Sequence, residues 1–187
     1  VVIQEDCRRD GATVSFEGPV PAGDNVRPRG NDIVAGSEIL AAGTRLRPQE
    51  LGLAASVGLP ALTVARRLRV AIFSSGNELK QPGEPLPPGA IYNSNRYTLR
   101  GLLSALGCAA VDLGSVEDTL GATEAALVAA AADADVVVSS GGMSVGEEDH
   151  VKQAVERAGR LEMWRVAVKP GKPLAYGRIA DADFLGL

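Results

Sequence analysis

The spacing of apolar positions changes character near residue 67. Upstream, apolar residues come in short runs broken by Gly and Pro, which predicts strands at Ala12–Phe16, Asn25–Arg27, Ser37–Leu40 and Ala61–Val64. One short helix is expected from Pro48 to about Val57, with Leu51, Ala54 and Ala55 on its apolar face and Gly58 as its C-cap. Residues 1–66 therefore read as a partial, small β-rich lobe. From residue 67 to 187 the pattern is that of alternating strands and helices. Continuous apolar runs at Val70–Phe73 and Val136–Val138 predict buried strands, and Ala109–Leu113 is the strand between them. Between them lie a helix capped by Asn95, with Leu99, Leu102, Leu103 and Leu106 on one face and Gly107 at its end, and an alanine-rich helix from about Thr119 to Ala132. A third helix runs through Val151, Ala154, Val155 and Ala158 to Gly159, and alternating strands are expected at Leu161–Val168 and Leu174–Ile179. Strands joined by crossover helices give a parallel-rich sheet with helices on both faces, a three-layer α/β domain.

Composition narrows the function classes. The 187 residues are 45% hydrophobic but contain only one Trp, three Tyr and three Phe, so Ala, Val and Leu must supply most of the core. A net charge of −4 and the lack of a long basic run argue against a nucleic-acid surface. No apolar run approaches the roughly 20 residues needed to span a bilayer. Cys7 and Cys108 stand far apart in unlike contexts, with neither disulfide nor metal spacing, and a reduced, cytoplasmic setting is expected. Strand-like residues at both ends, Val1-Val2-Ile3 and Phe184-Leu185-Gly186-Leu187, lead to the expectation that the chain is a piece of a longer protein.

The candidate chemistry gathers after the predicted strands. Ser139-Ser140-Gly141-Gly142-Met143-Ser144-Val145-Gly146-Glu147-Glu148-Asp149 follows an apolar strand and precedes a helix. Its glycines allow backbone N–H groups to approach an anion, and a helix amino end favours negative charge. Ser139, Ser140 and Ser144 would hydrogen-bond a phosphate. The carboxylates at the loop's far end would repel that phosphate unless a divalent cation lay between. Two other strand ends carry acids, in Ser74-Ser75-Gly76-Asn77-Glu78 and in Gly114-Ser115-Val116-Glu117-Asp118. In a parallel sheet these ends converge, so Glu78, Asp118 and Asp149 could share a Mg²⁺ site; helix capping and solvated loop charge are the plainer alternative. Lys169-Pro170-Gly171-Lys172-Pro173 is a stiff turn that restricts two ammonium groups and suits a phosphate or other oxyanion. His150, the only histidine, reads as a capping or surface residue before a general base, and Trp164 as core. Arg27-Pro28-Arg29-Gly30-Asn31-Asp32 is either an oxyanion fork or an exposed turn with a local ion pair.

Taken in order, these strings resemble the molybdopterin molybdenumtransferase family, the group of bacterial MoeA and the gephyrin E domain. The resemblance is carried by Phe73-to-Leu79, Ile91-Tyr92-Asn93-Ser94-Asn95-Arg96, Ser139-to-Asp149 and Lys169-to-Pro173, with Asn25-to-Ile33 and Ala42-Gly43-Thr44 upstream. Asn77 departs from a position that is Asp in many members, and His150 from one that is commonly aromatic. The resemblance implies a molybdopterin-binding α/β domain that converts adenylylated molybdopterin and molybdate to molybdenum cofactor and AMP with Mg²⁺. It further implies that Glu78, Asp118 and Asp149 hold Mg²⁺ and water, and that Lys169 and Lys172 meet molybdate, pterin or phosphate oxygens. Ser140, Gly141 and Gly142 would hold the nucleotide phosphate; Ser75, Gly76, Asn95, Ser139, Ser144, Gly146, Pro170 and Gly171 would complete the ligand site. Family members are homodimers whose cleft uses both subunits, and contact with a molybdopterin adenylyltransferase is a further expectation. Two enzymes sharing the domain, that adenylyltransferase and a pyrophosphate hydrolase, stand as rivals, together with a non-catalytic pterin-binding scaffold. The upstream Arg-Pro-Arg-Gly region argues against the adenylyltransferase.

Overall fold

The computed structural model describes residues 1–142, 150–166 and 174–187. The chain divides into two compact units, Val1–Val64 and Ala65–Leu187.

In the first unit a hairpin joins β1 (Cys7–Asp10) to β2 (Thr13–Phe16) with Asp10 opposite Thr13. Its two-residue loop is led by Gly11 at φ 58, a conformation that a β-carbon would disfavour. Helix α1 (Pro48–Ser56) begins at Pro48 as expected, and Gly58 (φ 83) follows its end. The Arg47 backbone N–H donates to the Glu50 carboxylate at 2.9 Å. The hydrogen bonds from the Arg47 guanidinium, with that backbone bond beside them, lower the pKa of the Glu50 carboxyl to about 2. Of the predicted apolar face only Ala54 is buried; Leu51 is exposed. Strands expected at Asn25–Arg27, Ser37–Leu40 and Ala61–Val64 are not formed, and Asn25 takes a left-handed φ of 52. A strand is stabilised by a partner and a covered face. Here Ala54 is the only buried residue among the 64, so short apolar runs gain nothing from pairing.

The second unit is built on a six-stranded sheet. It contains β3 (Arg69–Ser75), β6 (Ala109–Val116), β7 (Val136–Ser140), β8 (Arg160–Trp164), β9 (Ala175–Ile179) and β10 (Ala182–Gly186), in the order β6-β3-β7-β10-β9-β8. The first four in that order are mutually parallel, and β10, β9 and β8 are antiparallel. Short strands β4 (Leu79–Lys80) and β5 (Ile91–Tyr92) pair beside it. Three helices cover the sheet: α2 (Ser94–Ala105), α3 (Leu120–Asp133) and α4 (His150–Ala158). The pleat of β3 explains the layers. Val70 and Ile72 face one core with Leu99 and Leu103 of α2, while Ala71 and Phe73 face the other with Leu127 of α3 and Val151 and Val155 of α4. The larger core centres on Phe184 and Val137.

Two sequence expectations for α2 need correction. Asn93, not Asn95, is its N-cap: the Asn93 side-chain oxygen accepts from the Arg96 backbone N–H at 3.2 Å. Asn95 already lies inside the helix and reaches elsewhere. Leu102 and Leu106 are exposed although they sit at helical spacing with the half-buried Leu99 and Leu103. β6 is an edge strand, so α2 has a sheet under only part of its circumference. The cap at α3 is Thr119, whose hydroxyl accepts from the Ala122 N–H at 3.3 Å. Asn93→Ala is expected to cost about 1 kcal/mol from cap loss, with the Ser74 partner lost in addition, readable as a lower urea midpoint.

Candidate functional site

Parallel alignment of β3, β6 and β7 places their carboxyl ends along one edge. From β3 the chain goes through α2 to β6 on one side, then through α3 to β7 on the other. The strand order thus reverses at the end of β3, the position where open α/β sheets take up ligands. Buried serines occupy both neighbouring ends: Ser74 and Ser75 on β3, Ser139 and Ser140 on β7.

A cavity of about 280 Å³ lies over them, lined by Ser75, Glu78, Asn93, Ser94, Asn95, Ser140 and Gly141 among others. Close approach of backbones shapes it. Gly141 (φ 93) lies so near the Ser75 carbonyl oxygen that an added Cβ would overlap it. A Cβ at Gly142 (φ 70) would stand 2.5 Å from a methyl of Val151, and one at Gly76 (φ 147) 2.7 Å from the Glu78 carboxylate. The glycines predicted for backbone approach are therefore required by the fold as well as compatible with a ligand.

Hydrogen bonds knit the predicted residues together. The Ser75 hydroxyl donates to Asp118 at 3.1 Å, and the Asp118 backbone N–H reaches the Asn77 side-chain oxygen at 3.5 Å. Asn95 Nδ2 donates to the Ser140 hydroxyl at 3.1 Å. Ser74 Oγ donates to Asn93 Oδ1 at 3.3 Å. Among the described residues, Asn93 Nδ2 and Ser139 Oγ are buried with no hydrogen-bond partner. Burying such a group unpaired costs about 1–3 kcal/mol, and of the two residues Asn93 lines the cavity. His150 starts α4 half-buried with its Nδ1 also unpartnered.

The structure thus brings Ser75, Glu78, Asn95, Ser140 and Gly141 to one cavity and ties Asp118 to it; Gly76 lies against the Glu78 carboxylate and Gly142 packs beside Ser75. Ser144, Gly146, Glu147, Glu148, Asp149, Lys169, Pro170, Gly171 and Lys172 lie outside the described residues. Among the described residues no group of three or more His, Cys, Asp or Glu side chains could hold a metal. Glu78 and Asp118 nonetheless offer the hard carboxylate oxygens that Mg²⁺ favours, and Mg²⁺ commonly takes one or two carboxylates with water and phosphate. Trp164 packs against the larger core, with the Lys152 ammonium 5.6 Å from its ring centre.

Sequence reasoning passed over one network beside the cavity. Arg96 donates from Nε to both oxygens of Asp112, at 2.9 and 2.8 Å, and from Nη1 to the Gln81 side-chain oxygen at 2.9 Å. Gln81 in turn donates to Ser115 at 3.1 Å. Burial alone would push the Asp112 carboxyl up; the Arg96 hydrogen bond, the Gly114 N–H and the charges of Arg96 and Arg100 outweigh it and hold the group below the ordinary aspartate range. The signal available was the Arg96–Asp112 charge pair on neighbouring elements.

A parallel sheet with a glycine- and serine-lined crevice at its switch point is the ligand-binding arrangement of open α/β domains. The chain belongs to the family described as probable molybdopterin binding domain, which matches residues 71–185. Residues 1–58 match the MoeA N-terminal region (domain I and II). A relative from Haemophilus influenzae, named molybdopterin molybdenumtransferase, is 41% identical over 189 residues, covering 100% of this chain and 46% of its own length. A relative of the same name from Nostoc sp. is 38% identical, covering 93% of this chain and 40% of its own length. The chain therefore spans about half the length of the curated relatives it matches. A solved MoeA protein from Pyrococcus horikoshii superposes with a TM-score of 0.81 at 32% identity, covering 100% of this chain and 46% of that one. The MoaB enzyme from Thermus thermophilus shares the fold alone, at a TM-score of 0.51 and 16% identity.

Proposed function

We propose that this chain is the pterin- and nucleotide-handling part of a molybdopterin molybdenumtransferase, which converts adenylylated molybdopterin and molybdate to molybdenum cofactor and AMP. The observation that carries this reading is the crevice at the end of β3, where Gly141 lies against Ser75 and buried serines and Asn93 present hydrogen-bonding groups. It is supported by membership of the molybdopterin-binding family and by relatives named for this transfer. The match of residues 1–58 to the MoeA N-terminal region favours it over the adenylyltransferase.

In this reading the backbone of Gly141 and Gly142, with Ser140, holds the adenylate phosphate, and Ser75 and Asn95 fix the strand ends around it. Ser139, Ser144, Gly146, Gly76, Pro170 and Gly171 complete the ligand site. Glu78, Asp118 and Asp149 would hold Mg²⁺, which when bound offsets the phosphate charge. Lys169 and Lys172 receive the molybdate or phosphate oxygens, as restricted ammonium groups suit. The protein works as a homodimer in the cytoplasm and meets an adenylyltransferase that supplies its substrate. Among the described residues no helix is long and apolar enough to cross a membrane.

The test incubates the intact protein with adenylylated molybdopterin, molybdate and Mg²⁺ and follows AMP. AMP release is expected, and Asp149→Ala should abolish its Mg²⁺-dependent part; ATP consumption instead would identify an adenylyltransferase. Unchanged release in the Asp149 variant would remove that residue from the mechanism.

A further inference from the structure

β6 does not run straight to the crevice. Its pairing with β3 passes from Ile72 opposite Asp112 to Ser74 opposite Ser115, so Leu113 and Gly114 together face the single residue Phe73. This is a β-bulge, and Gly114 adopts φ 78 within it. Bulges bend a strand and re-aim the residues beyond them, and they recur next to active sites. Here the residues beyond are Ser115 to Asp118, and Asp118 accepts the Ser75 hydroxyl.

Arg96 is built around this bulge. Its guanidinium donates to both Asp112 oxygens, the residue before the bulge, while Asp112 Oδ1 also accepts the Gly114 N–H at 2.9 Å. A Cβ on Gly114 would stand 3.8 Å from the Arg96 guanidinium, so the group lies against the glycine itself. Through Gln81 the same guanidinium reaches Ser115 just past the bulge and the loop that follows Glu78. Its own backbone N–H closes the α2 cap on Asn93, and the preceding residue, Asn95, holds Ser140. One residue therefore ties together the segment after β4, the amino end of α2 and the bulged end of β6. Arg100 adds a second, looser contact to Asp112 at 3.5 Å.

We propose that Arg96 and Asp112 are positioning residues of the crevice: the pair locks the Gly114 bulge and thereby sets Asp118 and Asn95 against the serines of β3 and β7. The consequence for ligand binding rests on the proposed transferase reading. Neither residue needs to touch the ligand. Lysine cannot replace the planar fork that spans Asp112 and Gln81, although it keeps the charge.

The experiment uses the intact protein and its Arg96→Gln, Arg96→Lys, Asp112→Asn and Arg96→Gln/Asp112→Asn forms, with Arg66→Gln as a control that breaks an ion pair at the opposite sheet edge. AMP affinity is measured by equilibrium dialysis with Mg²⁺, and the Asn95 side-chain amide is followed by NMR in folded protein. R96Q and D112N should each weaken AMP binding by about tenfold, the double form should be no weaker than either, and R96K should fall between. The Asn95 amide signal should shift in R96Q, and R66Q should leave both readouts unchanged. An Asn95 signal unmoved by R96Q overturns the positioning role, as does unaltered AMP affinity in R96Q where the parent binds AMP. A parent that does not bind AMP counts against the transferase reading, and the Asn95 signal then decides the positioning role by itself.

Discussion

Gly141→Ala should reduce AMP release by about a hundredfold, the scale expected when a site is displaced by roughly 1 Å. The methyl group has nowhere to go. Its neighbour would be the Ser75 carbonyl oxygen, a backbone atom of a central strand, and not the movable end of a side chain. The residue also holds φ 93, where a β-carbon adds its own strain of about 1–2 kcal/mol. Relief requires the end of β3 and the loop after β7 to part, which opens the crevice at the point proposed to hold the adenylate phosphate. The Gly141 N–H to Leu187 carbonyl bond at 3.1 Å would shift with it. Gly101→Ala provides the contrast. Gly101 lies within α2 with nothing inside 4 Å of an added Cβ, so alanine there should stabilise by about 0.5–1 kcal/mol and leave AMP release unaltered. Equal losses in both variants would show that the Gly141 effect is not local.

How far the sequence foretold these features depended on how local their causes are. The three parallel strands and their helices were legible because each is a mainly apolar run or a helical repeat of apolar positions, fixed by neighbours a few residues away. The serines and glycines of the crevice were legible for the same reason: they directly follow those runs. Asn93 and Asn95 were harder. Both are good caps within two turns of the first leucine, and only the backbone at Asn93 decides that it closes α2 while Asn95 is free to reach Ser140. The Arg96–Asp112–Gln81–Ser115 network depends on the register of β6 against β3 and on a bulge, so residues up to 34 apart had to be brought together. In the first unit the strand expected at Ala12–Phe16 formed as β2, but those expected at Asn25–Arg27, Ser37–Leu40 and Ala61–Val64 failed in the opposite way. Apolar runs were present, but a run becomes a strand only where a partner and a covered face exist, and neither is encoded in the run. The final strand, β10, was visible only as an apolar end, because its place between β7 and β9 is a property of the sheet.

Phe184→Ala should destabilise the second unit by about 3–5 kcal/mol, read by urea unfolding. Phe184 is wholly buried at the centre of β10, paired with Val137 on the parallel side and Gly177 on the antiparallel side. It therefore stands where the parallel and antiparallel halves of the sheet meet, in the core that also holds Leu127, Val151, Val155 and Ile179. With so few aromatic residues in the chain, the neighbours are mostly Val, Ala and Leu, whose short side chains cannot extend into the space a phenyl ring vacates. The backbone offers little relief either, because Gly159 and Gly177 already lie so close to the neighbouring strand that a Cβ on either would overlap main-chain carbonyl oxygens. Residual cavity volume is what separates a cheap truncation from a costly one, and here it should persist. Phe184→Leu, which keeps most of the volume, should cost less than about 1.5 kcal/mol. Phe16, half-exposed on the β1–β2 hairpin, should tolerate alanine within about 0.5 kcal/mol. A Phe184→Ala loss no larger than that of Phe16→Ala would mean that the large core can repack around the missing ring, and that the junction between the two halves of the sheet is held by its backbone pairing alone.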